Sequence, residues 1–149
     1  MSGANGRKSI FITGAASGIG AETARLFSKR GWFCGLYDVN EMGLRAVAAE
    51  LGAGNSHAAK LDVTKRADWA AAMAGFSEAT GGKMDVLFNN AGRGFQAATI
   101  DEMPVEAWRE GVEVNLNGAF LCARAAFRQM RLDLNMPPVA WAEAFADWL

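Results

Sequence analysis

At 149 residues, 51% hydrophobic and 21% charged, the chain is long enough for one domain with its own core and too apolar for a disordered or low-complexity segment. Fifteen Lys plus Arg against sixteen Asp plus Glu leave a net charge of −1, with no basic run, so neither nucleic acid nor an anionic membrane is an expected partner. The polar start has no signal-like apolar stretch behind it and no segment reaches the roughly 18 apolar residues of a membrane span, which makes a cytoplasmic location the expectation.

From residue 8 to about 130, short β-branched or aromatic runs alternate with longer amphipathic stretches, the pattern of βαβ units and a parallel sheet. The first strand is expected over 9–13, followed by a glycine-rich turn and a helix over 19–30 that Gly31 stops. A second strand over 32–38 leads to a helix over 41–51, stopped by Gly52. A third strand over 57–63 leads to a helix over 65–79, stopped by Gly81 and Gly82, and a fourth strand lies over 84–89. After a loop over 91–103, Pro104 suits the first position of a long helix reaching about residue 130, with Gly111 and Gly118 as its bending points. Beyond it, Pro137 and Pro138 precede 139–149, where Val139, Ala142, Phe145 and Leu149 share one helical face. The sequence therefore reads as one α/β domain over 1–130 and a divergent tail over 131–149. That tail is expected to carry an amphipathic helix packed on the domain or a partner.

The turn Thr13-Gly14-Ala-Ala-Ser17-Gly18-Ile19-Gly20 sits between the first strand and the first helix. A dinucleotide pyrophosphate needs backbone approach that a Cβ would block, and free N–H groups at the positive end of a helix. Gly14 would make the turn, Gly18 the close approach and Gly20 the helix–strand packing. Asp38 ends the second strand near the ~20-residue offset at which a carboxylate meets the adenosine ribose hydroxyls. A carboxylate there repels a 2′-phosphate, and Val39 and Asn40 bring no compensating cation, so NAD is expected over NADP. The alternative is a solvated turn aspartate or the cap of the next helix.

With Leu61-Asp62-Val63 after the third strand, Asn89-Asn90-Ala91-Gly92 after the fourth and Asn115-Leu-Asn-Gly118 in the long helix, the chain resembles the short-chain dehydrogenase/reductase family over about residues 8–130. The resemblance implies an abbreviated Rossmann-like, doubly wound parallel sheet of strand order 3-2-1-4. It implies NAD as cofactor, with Asp62 and Val63 at the adenine and Asn90, Ala91 and Gly92 lining the far ribose. It makes Asn115 the helix asparagine that organises a water in a proton relay. Without the family, Asn89–Gly92 reads as a strand-end turn bonding its own backbone, and Asn115 as a satisfied polar side chain or a bend.

The family moves a hydride between nicotinamide and an alcohol or carbonyl carbon, with a tyrosine hydroxyl handling the proton, a lysine four residues on lowering that phenol's pKa and a serine on the next strand holding the substrate oxygen. Here Tyr37 is the one tyrosine, it has Glu41 four residues on, and no lysine follows Lys83 and no serine follows Ser77. Glu41 is expected to raise the phenol pKa rather than lower it. Of the four catalytic positions only Asn115 carries over. A truncated or internally shortened product, a frameshifted tail and a small cofactor-binding protein in its own right all remain open, as do a non-catalytic NAD-binding or sensing module and an association role. The fourth strand's outer edge needs a cover, from the tail or another chain. A homo-oligomer through 104–130 and the tail is the protein partnership left open, and the substrate is not specified.

Cys34 and Cys122 read as buried thiols. With the single His57, taken as a surface or edge residue, they form no metal set, so no metal is expected. The five tryptophans read as packing residues. Arg93 reads as a mobile loop residue rather than a substrate contact. Asp101, Glu102, Glu106 and Glu110 read as charges favoured at a helix start.

Overall fold

The computed structural model describes residues 6–96 and 99–133. Its elements are β1 (Ser9–Thr13), α1 (Gly18–Lys29), β2 (Phe33–Asp38), α2 (Glu41–Leu51), β3 (Ser56–Lys60), α3 (Arg66–Thr80), β4 (Val86–Phe88), α4 (Val105–Val112), a π-helical segment Glu113–Gly118 and α5 (Ala119–Asp133). The sheet runs β3-β2-β1-β4 with every pairing parallel, as expected for a Rossmann-like α/β fold. The register sets Thr13 beside Tyr37, Asp38 beside Lys60 and Ile12 beside Phe88. All strands thus end on the same side, where their loops meet.

Alternation along each strand divides the core in two. Ile10, Ile12, Cys34 and Leu36 pack with Ala21 and Ala24 of α1 and with Leu44 and Val47 of α2. Phe11, Phe33 and Tyr37 pack on the other face with Trp69 and Phe76 of α3 and with Cys122 and Ala126 of α5. Each fully buried large apolar side chain contributes about 1.5–3 kcal/mol. Both cysteines are free and buried, and desolvation pushes their thiols up to about 11 and about 12.

Several boundaries differ from the sequence expectation for physical reasons. β3 stops at Lys60 because Asp62 and Thr64 turn the chain: the Thr64 N–H and hydroxyl both donate to Asp62 Oδ1 (3.1 and 2.7 Å), and the Asp62 N–H donates to Asp68 Oδ2. β4 starts later because Asp85 uses its side chain on β1, its Oδ2 accepting from the Ser9 N–H at 2.7 Å. Pro104 is the N-cap of α4 rather than its first residue. The long helix is interrupted by a π-helical segment, Glu113–Gly118, which ends at one of the two expected glycines. Those glycines serve packing: a Cβ at Gly111 would overlap the Phe95 ring, and one at Gly118 would approach Val63 Cγ2 to 2.7 Å. The expected helix over 139–149 lies outside the described residues, with Trp141 and Trp148. Among the described residues no helix is long and apolar enough to cross a membrane.

Candidate functional site

The loop after β1 is built around glycines that cannot carry a side chain. Gly14 has φ +67°, and a Cβ there would lie 2.9 Å from Asn90 Nδ2 and 3.1 Å from Ala91 Cα. A Cβ at Gly20 would overlap the Gly14 carbonyl and lie 2.9 Å from Asn90 Nδ2. Gly18, with φ +52°, has open space where a Cβ would point. Ser17 precedes α1 in an extended conformation without capping it, and the first turn holds no acidic residue. The opening N–H groups of α1 therefore lack an intrahelical partner and a neutralising carboxylate. Ile19 stands beside them, 71% exposed.

The loop is fastened to the end of β2. The Ala15 N–H donates to the Tyr37 carbonyl, and the Ala16 N–H donates to Asp38 Oδ2, both at 3.1 Å. The other carboxylate oxygen of Asp38 accepts from the Asn40 N–H at 3.0 Å. Capping of α2 falls instead to Asn40, whose Oδ1 accepts from the Gly43 N–H at 3.0 Å. Asp38 is thus held by two backbone donors with lone pairs remaining on each oxygen. The Leu61 N–H donates to the Asp38 carbonyl, which brings Asp62 and Val63 to the same strand ends. Hydrogen bonds from Thr64 and the nearby Lys65 ammonium, 3.3 Å away, hold the Asp62 carboxyl below its ordinary range. Val63 is buried and its carbonyl accepts from the Trp69 indole N–H at 2.9 Å.

Thr13 joins this loop to the one after β4, and sequence reasoning passed over it. Fully buried, its hydroxyl oxygen accepts from the N–H groups of Asn90 and Ala91, each at 3.0 Å. The Asn90 amide donates back to the carbonyls of Thr13 (3.1 Å) and Gly14 (3.3 Å). The signal was available: a hydroxyl residue at the strand end just before the glycine turn. Asn89 donates from its amide to the Ala119 carbonyl at 2.9 Å, next to the π-helical segment, where the helical ladder is out of step.

Asn115 lies in that π-helical segment and clamps the following loop. Its Oδ1 accepts from the Arg93 N–H at 2.7 Å and its amide donates to the Arg93 carbonyl at 3.0 Å. Gly92 is small where Asn115 is close, since a Cβ there would sit 3.4 Å from Asn115 Oδ1. Arg93, expected to be a mobile loop residue, is instead held on both backbone groups and pairs with Glu110 at 2.7 Å. The Asn89–Gly92 turn, read locally, would bond its own backbone; it bonds Thr13, Gly14 and the first residue of α5 instead.

Tyr37 points away from this cleft. It is fully buried, stacks on Phe11 at 3.9 Å between ring centroids, donates to the Ala72 carbonyl at 3.3 Å and lies 3.0 Å from His57 Nδ1. Its phenol pKa is raised, as expected, but the cause is burial rather than Glu41. Glu41 pairs with Arg45 at 3.5 Å and Lys60 at 4.0 Å. His57 sits on edge strand β3 as expected, yet it turns inward to Tyr37, and burial lowers its pKa. Among the described residues no cluster of three His, Cys, Asp or Glu could hold a metal ion.

Residues 8–135 match the family model described as short chain dehydrogenase. The chain is 42% identical over 121 residues to a cis-4-hydroxycyclohexanecarboxylate dehydrogenase of Sinomonas cyclohexanicum, covering 80% of this chain and 48% of that one. It is 35% identical over 123 residues to an NAD-dependent glycerol dehydrogenase of Listeria innocua, covering 83% and 47% respectively. Among solved structures, a 3-ketoacyl-(acyl-carrier-protein) reductase from Brucella melitensis complexed with NADH superposes with TM-score 0.80 at 32% identity, covering 85% of this chain and 51% of that one. The chain thus spans about half the length of these relatives. The sheet order, the glycine turn and the matched span together make this chain a member of the short chain dehydrogenase family.

Proposed function

We propose that these residues bind NAD(H), in the lineage of oxidoreductases that transfer a hydride between nicotinamide and an alcohol or carbonyl carbon, and that the 149 residues alone do not turn over. The observation that carries this reading is the backbone cradle at Gly14 and Gly20, locked to Asn90 on one side and through Ala16 to Asp38 on the other. A Cβ at either glycine would fill the space on which the cradle depends, and the uncapped start of α1 suits a pyrophosphate. Gly14, Ser17, Gly18, Ile19 and Gly20 would hold the pyrophosphate. Asp38 would accept from the adenosine ribose hydroxyls, with Asp62 and Val63 beside the adenine. Asn90, Ala91 and Gly92 would line the far ribose, where Asn115 fixes the loop. Bound there, the nicotinamide supplies a hydride donor or acceptor.

Proton transfer is what these residues do not provide. Tyr37 is sealed behind β2 with its phenol pKa raised by burial, and no lysine or serine follows β4. Loss of general acid–base help alone costs about 10²–10⁴ in rate. Fluorescence titration with NADH and NADPH tests the cofactor reading: NADH is expected to bind more tightly, and equal or tighter NADPH binding would sink it. Assays with alcohols, ketones and sugars are expected to stay at background. Turnover abolished by Tyr37→Phe would overturn the placement of Tyr37 outside the reaction.

A further inference from the structure

A trough of about 380 Å³ lies between α3 and α5, away from the loops at the strand ends. Its lining is apolar along its length, with Trp69 and Met73 from α3 and Leu121, Ala125 and Leu132 from α5. Trp69 is buried, whereas Leu132 is 75% exposed. The two helices run in the same direction, because Gln129, late in α5, donates to the Gly82 carbonyl just past the end of α3. Arg66, the first residue of α3, therefore stands at the same end of the trough as Leu121 and Arg124, with Leu132 at the other. Arg66, Arg124 and Arg128 are all exposed, and no carboxylate lines the trough with them. Among the described residues none of the three is in an ion pair. The acids nearest Arg66 in sequence are engaged elsewhere, Asp62 with Lys65 and Asp68 with the Asp62 N–H.

We propose that this trough binds a medium-chain alkyl carboxylate, its head between Arg66 and Arg124 and its tail running over Met73 and Ala125 to Leu132. Charge complementarity and size both select this occupant. Guanidinium groups on two facing walls suit a carboxylate, which each can meet with paired hydrogen bonds. Arg128, one turn beyond Arg124, adds positive potential that no neighbouring acid offsets. The volume of about 380 Å³ lies in the range of small-molecule sites. A helix about 10 Å across and about 16 Å long occupies roughly 1,200 Å³, so it would stand largely outside a trough that takes in a single alkyl chain. The lengths agree as well. Arg124 to Leu132 covers about 12 Å along α5, and an extended alkyl chain advances about 1.3 Å per carbon, given a C–C bond of about 1.5 Å, so a tail of about nine carbons spans it.

Calorimetric titration of the full chain with hexanoate, octanoate and decanoate, each below its micelle concentration, tests this. One saturable site is expected, with affinity rising about two- to fourfold for each added CH₂ as the tail covers more of the trough. Arg66→Gln with Arg124→Gln is expected to weaken decanoate about tenfold or more, since both charge-assisted contacts to the head are lost. Octan-1-ol, which has a tail of the same length as octanoate and no charge, is expected to bind more weakly than octanoate and to change less than about twofold in that variant. Both arginines are exposed, so the fold is expected to survive, with an unchanged urea midpoint as the check. Arg30→Gln with Arg109→Gln, which removes the same charge outside the trough, is expected to leave decanoate affinity as it was. Absence of saturable binding would overturn the proposal, as would equal decanoate affinity with and without Arg66 and Arg124. So would an equal loss in the Arg30 and Arg109 variant, which would show attraction to net charge alone, or octan-1-ol binding as tightly as octanoate, which would show adsorption to apolar surface alone.

Discussion

A Cβ at Gly20 would have to share space with the Gly14 carbonyl, whereas one at Gly31 meets nothing within 4 Å. Gly20→Ala is therefore expected to weaken NADH binding at least tenfold and to cost about 2 kcal/mol of stability. Gly31→Ala pays only the backbone strain of φ +81°, about 1 kcal/mol, with unchanged affinity. Fluorescence titration and denaturant unfolding read both. Asp38→Ala is expected to weaken NADH and relax its discrimination from NADPH, because it removes the carboxylate and frees the Ala16 N–H. At His57, burial lowers the folded pKa below the unfolded value near 6.5, so the unfolded chain binds more protons in mildly acid solution. Stability is then expected to fall as pH drops below about 6.5, and His57→Gln is expected to flatten that slope in urea midpoints measured between pH 5 and 8. Motif spacing revealed Gly14, Gly20 and Asp38. The contact between Tyr37 and His57 was not legible, because their pairing depends on the β2–β3 register and on the position of Ala72 in α3.

The break between α4 and α5 is an element whose purpose appears only in three dimensions. Gly111 and Gly118 marked the right stretch of sequence, yet the helix widens between them, where Asn115 reaches the Arg93 backbone and the nearby Ala119 carbonyl meets Asn89. Asn115→Ala leaves both Arg93 backbone groups to water, a loss of about 1 kcal/mol at this exposed site. Faster amide exchange at Arg93 with unchanged exchange in β1 and β2 is the expected signature. Strand positions were legible because alternation and flanking glycines are local properties. The early end of β3 and the late start of β4 were not, since Asp62 and Asp85 use their side chains on backbone groups that extended ladders would otherwise engage.

At the scale of the whole molecule, a ligand that binds only the folded chain stabilises it. NADH at about a hundredfold over its Kd is expected to add about 2.7 kcal/mol to unfolding, and thermal melting should show a smaller increment with NADPH. Among the described residues β4 pairs only with β1, so its outer edge remains the pairing liability that its position in the sequence implied. Composition, two-residue and helical periodicity and the order of the motifs determined a parallel four-stranded α/β domain with a glycine-rich turn between its first strand and first helix. Each of those signals lies within a short stretch of chain. Tertiary structure alone decided that Thr13 bridges the two loops, that Asn40 rather than Asp38 caps α2, that Arg93 is pinned and that Tyr37 faces the core. In each case a polar group chooses among several partners, and which one is within reach depends on strand register and helix packing between residues far apart in sequence.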